Sequence, residues 1–325
     1  MTAALNWGIL ATGHIARTFA RDLIDAGFTI TAAGSRSPGA AEAFAAEFGI
    51  PRSHGSYEQL VADPEVDVVY VATPHPFHVE TALLAIDAGK HVLIEKPLTL
   101  NRADAQRIAD RASERGVIAM EAMWTRFLPH MVHLRGLLAA GAIGEVRTVI
   151  ADHTQSLPTN PEHRLQNPAL GGGALLDLGI YPVSFAVDVL GLPTSIVAHA
   201  AMTATGVDRQ TAMIFGYDDG RQAVLQCALD TAGSNRAVVL GTAGAIELDR
   251  VWYTPTGLTR YDRDWQVVER FEQPVSTRGM EFQAAELERR VAGEQPASLP
   301  IDESVAIMGV LDEVRSLIGL RYPGE

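Results

Sequence analysis

Up to Ala122 the chain alternates between two hydrophobic periods. Short apolar runs at residues 5–10, 28–33, 66–72, 91–94 and 117–122 are separated by stretches whose apolar residues recur at three-and-four spacing, among them 15–23, 40–48, 79–86 and 103–112. Runs that are apolar on both faces, spaced by helical periodicity, predict parallel strands in a sheet covered by helices on both sides. Gly27, Gly49, Gly89 and Gly116 each stand at the end of a helical stretch, where a chain leaves a helix through the left-handed conformation. Residues 1–122 are therefore predicted to form a doubly wound α/β domain.

Beyond Ala122 the rhythm changes. A helix is predicted from near Phe127 to Ala140, then a strand at 145–153 and a loop rich in Pro, Asn and Gly at 155–173. Alternating runs such as 211–216 and 223–229, with tight turns at Tyr217-Asp218-Asp219-Gly220 and Gly241-Thr242-Ala243-Gly244, predict antiparallel strands. Helical patterns at 281–291 and 303–318 finish the chain. Residues 123–325 thus read as an α+β domain, an open and mostly antiparallel sheet with helices on one face. The other face of such a sheet needs cover, so a homodimer through it is expected.

Composition narrows the function classes. A length of 325 residues fits two domains at roughly 100–200 residues each. With 47% hydrophobic and 20% charged residues, a large core is available and a disordered chain is excluded. The 26 Lys and Arg against 39 Asp and Glu leave a net charge of −13, which disfavours a nucleic-acid partner but leaves room for one local basic spot facing a phosphorylated small molecule. Cys227, the single cysteine, rules out an intramolecular disulfide and a Cys-rich zinc module and suits a reducing, cytoplasmic setting. Neither a signal peptide nor a membrane span is expected from the apolar runs.

The first strand runs directly into Gly8-Ile9-Leu10-Ala11-Thr12-Gly13-His14-Ile15-Ala16. A strand, a glycine turn and a helix start form the setting of a dinucleotide fingerprint, here with Ala11 and Ala16 at the first and third glycine positions. Gly13 holds the middle position, where backbone approaches a pyrophosphate, and the helix start at His14 offers free N–H groups to it. Ala11, Thr12, Gly13, His14 and Ile15 are the cofactor-binding candidates; a plain strand-to-helix turn is the alternative. Where the second strand ends, an NAD site places a carboxylate, but this chain has Gly34-Ser35-Arg36-Ser37. Ser35 and Arg36 suit a 2′-phosphate, because guanidinium presents a fork of donors. NADP is the expected cofactor, with NAD possible, and a solvated loop arginine is the alternative.

Further segments carry a family resemblance. They are Val92-Leu93-Ile94-Glu95-Lys96-Pro97, Thr73-Pro74-His75-Pro76-Phe77-His78, Ala88-Gly89-Lys90-His91 and the block from Gly171-Gly172-Gly173 through Asp177 to Tyr181. With the glycine turn, they resemble the Gfo/Idh/MocA family, named for glucose–fructose oxidoreductase and inositol dehydrogenase, over essentially the whole chain. The stretch Glu121-Ala122-Met123-Trp124-Thr125-Arg126-Phe127 and Tyr181 look most like its dimeric dihydrodiol dehydrogenase branch, which also contains NADP-dependent D-xylose dehydrogenase activity. The resemblance implies a Rossmann domain, a C-terminal sheet domain and nicotinamide-dependent chemistry at a hydroxyl-bearing carbon. It also suggests a cis bond before Pro97. Many members carry His where this chain has Tyr181, so proton transfer through imidazole is not carried over.

The candidate chemistry follows. Lys96 lies just past the end of a strand, on the rim where open α/β sheets bind ligands. Asp177 and Tyr181 are four residues apart, and a helix beginning near Gly179 would place Pro182 in its first turn with Asp177 just ahead. The glycines 171–173 would let backbone pass close to cofactor or substrate. A phenol titrates near 10, too high for a neutral-pH base, and an ammonium beside it lowers that value. Lys96 and Tyr181 are thus the proton-handling candidates, either one being the carrier, with Asp177 orienting the substrate hydroxyl or keeping Lys96 protonated. Thr73, Pro74, His75, His78 and Glu95 are candidates on the cofactor side, with packing or capping as the alternative for the histidines. Trp124, Arg126 and His163 are candidates to line the substrate pocket, although Trp124 equally suits the core. His130 and His133 share a helix face but lack a third ligand, so no metal is expected. The expected activity is hydride transfer on a sugar, polyol or cyclic trans-diol. The alternatives are a glucose–fructose oxidoreductase-like enzyme with tightly bound nucleotide and a non-catalytic NADP-binding sensor.

Overall fold

A computed structural model describes residues 5–296 and 298–323. Two compact units divide the chain: residues up to Trp124 together with Ser276–Val305, and Thr125–Val275 together with the chain from Ala306 onward. Segment 276–305, which the sequence division assigns to the second domain, instead packs in the first unit. Arg278 N and Met280 N donate to the Asp22 carboxylate at 3.3 and 3.0 Å, and Trp7 Nε1 donates to Glu288 Oε1 at 3.0 Å.

The first unit alternates β1 (Asn6–Leu10), α1 (His14–Asp25), β2 (Thr29–Gly34), α2 (Pro38–Phe48), β3 (Arg52–His54), α3 (Tyr57–Val61), β4 (Val68–Val71), α4 (His78–Asp87), β5 (His91–Glu95), α5 (Arg102–Arg115) and β6 (Ala119–Ala122). Its six strands pair in parallel in the order β3-β2-β1-β4-β5-β6. The continuous apolar runs form the strands because both faces are covered; β4 is buried throughout. Gly27, Gly49, Gly89 and Gly116 all take positive φ, as the helix-stop reading requires. Strand β3 and helix α3 escaped the sequence reading. Arg-Ser-His carries no apolar period, and β3 is an edge strand with little to bury. Gly34 admits α3: a Cβ there would stand 2.8 Å from Leu60 Cβ. In this strand order the direction of winding reverses between β1 and β4, so the turns following those strands border the ligand crevice of the sheet.

The second unit begins with α6 (Pro129–Ala139) and β7 (Val146–Thr154), and reaches α7 (Ile180–Leu190) after a loop with two short 3-10 turns. Strands β8 (Ser195–Met202), β9 (Asp208–Gly216), β10 (Gln222–Ala228), β11 (Ala237–Gly241), β12 (Gly244–Leu248), β13 (Leu258–Asp262) and β14 (Val267–Phe271) follow. Helices α8 (Glu281–Val291) and α9 (Ile301–Ile318) come last in the chain; α8 and the first turn of α9 lie in the segment that packs in the first unit. The eight strands order as β14-β13-β12-β11-β7-β10-β9-β8, antiparallel except between β7 and β10. Helix α7 packs on β7 and β10. The stretch Pro168–Leu190 is long and apolar enough to cross a bilayer, but 89% of its apolar window is buried inside the protein, so its hydropathy is explained by a core position.

The start of α7 departs from expectation. Leu175–Gly179 form a π-turn that runs without a break into α7, so Asp177 lies within the helix rather than ahead of it. Pro182 has no N–H to donate and would crowd a regular preceding turn; a wider turn immediately before it relieves that crowding.

Candidate active site

The nucleotide-facing elements belong to the first unit. Ala11 sits at φ +76°, a left-handed conformation normally left to glycine, and its N–H donates to Gly34 O at 2.9 Å. Gly13 precedes α1 with no side-chain cap, and no heavy atom lies within 4 Å of where its Cβ would stand. An uncapped helix start behind an open glycine attracts an anion through its free N–H groups and its dipole. Past the end of β2, the exposed Arg36 guanidinium lies 5.9 Å from the Phe77 ring centre. It also neighbours the Tyr57 phenol, which burial raises above its usual range while Arg36 lowers it. Ser35 Oγ accepts from Ser37 N at 3.3 Å. These residues fit a dinucleotide: Ala11 to Ile15 would hold its diphosphate, and Ser35 with Arg36 its adenosine ribose.

Lys96 follows β5, half-buried, and its bond to Pro97 is cis, as the resemblance implied. Glu95 does not face outward as a cofactor ligand. Tyr70 OH donates to its Oε1 and the Lys96 amide to its Oε2, the latter at 3.2 Å. His78 is likewise turned inward. Its Nδ1 lies 3.0 Å from Pro97 O and its Nε2 2.8 Å from Thr73 O, with the ring wholly buried. Burial pushes this imidazole below its usual range, the carbonyls opposing and the Lys96 charge assisting. The ring thus lies between carbonyls of the loop after β4 and the loop after β5, and in its neutral form donates to one of them. His75 is buried with its ring edge-on to His78, Thr73 is buried with its hydroxyl 3.3 Å from that of Thr81, and Pro74 is exposed.

In the second unit, Tyr181 stands in a cluster that the sequence did not reveal. Its ring meets His153 edge-on at 4.8 Å and Tyr253 at 5.5 Å, while His153 stacks on Tyr253 at 3.6 Å. Gln155 Nε2 reaches His153 Nε2 at 2.7 Å and Tyr253 OH at 3.4 Å. Asp177, only 6% exposed, accepts at Oδ1 from both terminal nitrogens of Arg164, at 3.3 and 3.2 Å. The only hint in the sequence was the place of His153 at the end of a predicted strand. Its partner Tyr253 lies about a hundred residues away.

Two expectations change here. Arg126 is no substrate cation: it is buried, donates to Ser184 O at 2.7 Å and pairs with Asp188 at 3.1 Å, where Arg135 joins it. Gly172 and Gly173 close on their own chain. A Cβ on Gly172 would meet the carbonyls of Leu165, Arg164 and Asn167 at 2.7–2.9 Å, and one on Gly173 would meet Asp208 Oδ1 at 2.2 Å. The start of the helix that becomes α7 is met by Asp208, whose Oδ2 accepts from Leu175 N at 2.8 Å and from Thr211 Oγ1 at 2.7 Å. Burial pushes the Asp208 carboxyl up to about 6. Trp124 is buried with Arg278 stacked 5.0 Å over its ring, and His163 Nδ1 accepts from Leu165 N at 3.3 Å, capping a short turn.

Comparison with known proteins agrees with this arrangement. Residues 5–123 match the oxidoreductase family with NAD-binding Rossmann fold, and residues 131–247 match the GFO/IDH/MocA C-terminal domain. The chain belongs to the GFO/IDH/MocA family. It is an oxidoreductase whose first unit is a nicotinamide-dinucleotide-binding domain. Among its relatives, the trans-1,2-dihydrobenzene-1,2-diol dehydrogenases of Danio rerio and Mus musculus are 36% and 35% identical, each over 98% of both chains. Among solved structures of similar shape is KijD10, a 3-ketoreductase from Actinomadura kijaniata in complex with NADP and TDP-benzene. It is 29% identical over 97% of this chain and 98% of that one, with a TM-score of 0.85. An aldose-aldose oxidoreductase from Caulobacter crescentus complexed with glycerol is 26% identical over 96% and 97%, with a TM-score of 0.86.

Proposed function

We propose that this GFO/IDH/MocA oxidoreductase is NADP-dependent and acts at a hydroxyl-bearing carbon of a sugar, polyol or cyclic trans-diol. One observation carries the substrate class: the Tyr181 phenol stands beside an imidazole and a second phenol, with the Gln155 amide bonded to both of these and an arginine-paired carboxylate four residues earlier in the chain. Such a surface matches hydroxyl groups donor for acceptor and offers ring faces to the carbons between them. The relatives named for diol, ketosugar and aldose chemistry support the same class. Arg36, in place of a carboxylate at the end of β2, favours the 2′-phosphate of NADP.

A bound nicotinamide supplies the hydride acceptor or donor. The chain's own residues then have to manage the alcohol proton. The Lys96 ammonium and the Tyr181 phenol are the pair proposed for it. A cation favours phenolate and so makes Tyr181 a base for oxidation; in the other direction the pair donates a proton and stabilises alkoxide. Lys96 as carrier with Tyr181 as hydrogen-bond donor is the variant of the same scheme. Asp177, steadied by Arg164, accepts from a substrate hydroxyl and orients it.

The test is NADPH formation with D-xylose, other aldoses and trans-1,2-dihydrobenzene-1,2-diol, run alongside Tyr181→Phe and Lys96→Met. Each substitution is expected to lower kcat by about a hundredfold or more, with NADP affinity, measured by thermal shift, held within a few-fold. Full turnover in the Tyr181 variant removes that residue from the proton path. We also propose a cytoplasmic homodimer through the outer face of the second unit's sheet. There Val197, Ile214, Val224 and Ile150 lie exposed in one row across β8, β9, β10 and β7. Adjacent exposed apolar side chains of this kind are rare on monomers. Sedimentation of a monomer at micromolar concentration would contradict it.

A further inference from the structure

Residues 96–98 have two backbone donors, since Pro97 has no N–H. Both donate to carboxylates. The Lys96 amide donates to Glu95 Oε2 at 3.2 Å, and the Leu98 amide donates to Glu121 Oε1 at 2.9 Å. The Pro97 carbonyl is met by His78 Nδ1 at 3.0 Å. The segment is therefore held by side chains from three elements, two of them carboxylates. Glu121 lies on β6 beside Ile94 of β5 and is 1% exposed. A carboxylate so deeply buried is costly unless its hydrogen bonds are needed. A packing role alone would be met by an apolar residue of the same length.

We propose that Glu121 is a positioning residue for Lys96: its buried carboxylate holds the Leu98 amide and thereby fixes the segment from which the lysine projects. This rests on the proposed role of Lys96. Glu95, held in turn by Tyr70, secures the near side of the lysine; Glu121 secures the far side. Gln in place of Glu121 keeps an oxygen acceptor at the same reach, whereas Met keeps the volume and loses the acceptor.

The full-length protein with NADP is compared as wild type, E121Q, E121M and K96M. Hydrogen exchange at the Leu98 amide is the first readout and needs no substrate. Protection is expected in wild type and E121Q, with exchange at least tenfold faster in E121M. Under the substrate panel above, E121Q is expected to keep kcat within about threefold. E121M is expected to lose about tenfold to a hundredfold, with KM and NADP affinity little changed. Adding E121M to K96M should lower activity no further. The proposal is overturned if Leu98 exchange is the same in E121M and wild type, if E121M keeps wild-type kcat, or if its loss follows NADP affinity alone. Full activity in K96M would instead overturn the role of Lys96, whatever Leu98 exchange shows.

Discussion

The glycine-bearing turns that lead into α1 and α7 serve opposite ends. Before α1, Gly13 faces open space and the helix start has no side-chain cap. Before the helix that becomes α7, Gly172 and Gly173 face their own chain, and a carboxylate from β9 occupies the helix start. Both obey the same physics, because a helix N-terminus presents unsatisfied N–H groups and favours negative charge. In the first unit the N-cap residue supplies no side-chain partner, and the turn is the proposed phosphate site. In the second, Asp208 is the resident anion, and the glycines exist to let it approach. A glycine run in a sequence therefore signals close approach without saying of what.

The largest test of this contrast is Gly173→Ala. A Cβ there would collide with Asp208 Oδ1 at 2.2 Å, on a backbone at φ +119°. Loss of about 3 kcal/mol or more is expected, or failure to fold, read by urea denaturation. An alanine tolerated within 1 kcal/mol would mean that the packed turn is not packed.

Next in size is the cost of keeping Asp208 buried. Its carboxyl is raised to about 6 against an ordinary 3.8, so the folded state holds the proton more tightly than the unfolded chain. Between those two values the folded protein binds more protons, and its stability must fall as pH rises, by up to roughly 3 kcal/mol across the window. Above about pH 6 this contribution levels off. Asp208→Asn removes it, so the difference in unfolding free energy between variant and wild type should move in the variant's favour from pH 4 to pH 6.5. A difference independent of pH would show that Asp208 titrates normally.

The counterpart at the open turn is smaller in free energy and different in kind. Gly13→Ala meets no atom of the protein, so its stability should stay within about 1 kcal/mol of wild type. NADP binding should weaken by about tenfold to a hundredfold, because the methyl takes up space meant for the diphosphate. Unchanged affinity by calorimetry would detach this turn from nucleotide binding. Arg36→Ala completes the series: it should cost NADP several-fold to tenfold while leaving NAD nearly unaffected. An equal loss for both nucleotides would remove the 2′-phosphate from the argument.

Much of the first unit was legible in the residues because its signals are local. Strands buried on both faces must be apolar throughout, covering helices must repeat at their own period, and four glycines mark where helices stop. Edge strand β3 was missed for the same reason, since a polar tripeptide at the rim carries no period. The second unit was legible where strands alternate around tight turns. It was misread where a partner is distant: Arg126 looked like a pocket cation until Asp188 and Ser184 were found around it. Pro182 suggested a helix starting late, and the π-turn from Leu175 shows another way to accommodate it.

What the linear order of residues determined was the doubly wound sheet, the glycine turn at its nucleotide end, Lys96 at the end of a strand and the family that these together imply. Each depends on neighbours within a few positions. Only the folded chain decided which buried charges are paired, which glycines are packed and which rings surround Tyr181. Those contacts join residues tens to hundreds of positions apart, and a buried polar group is read correctly only when the group satisfying it is in view.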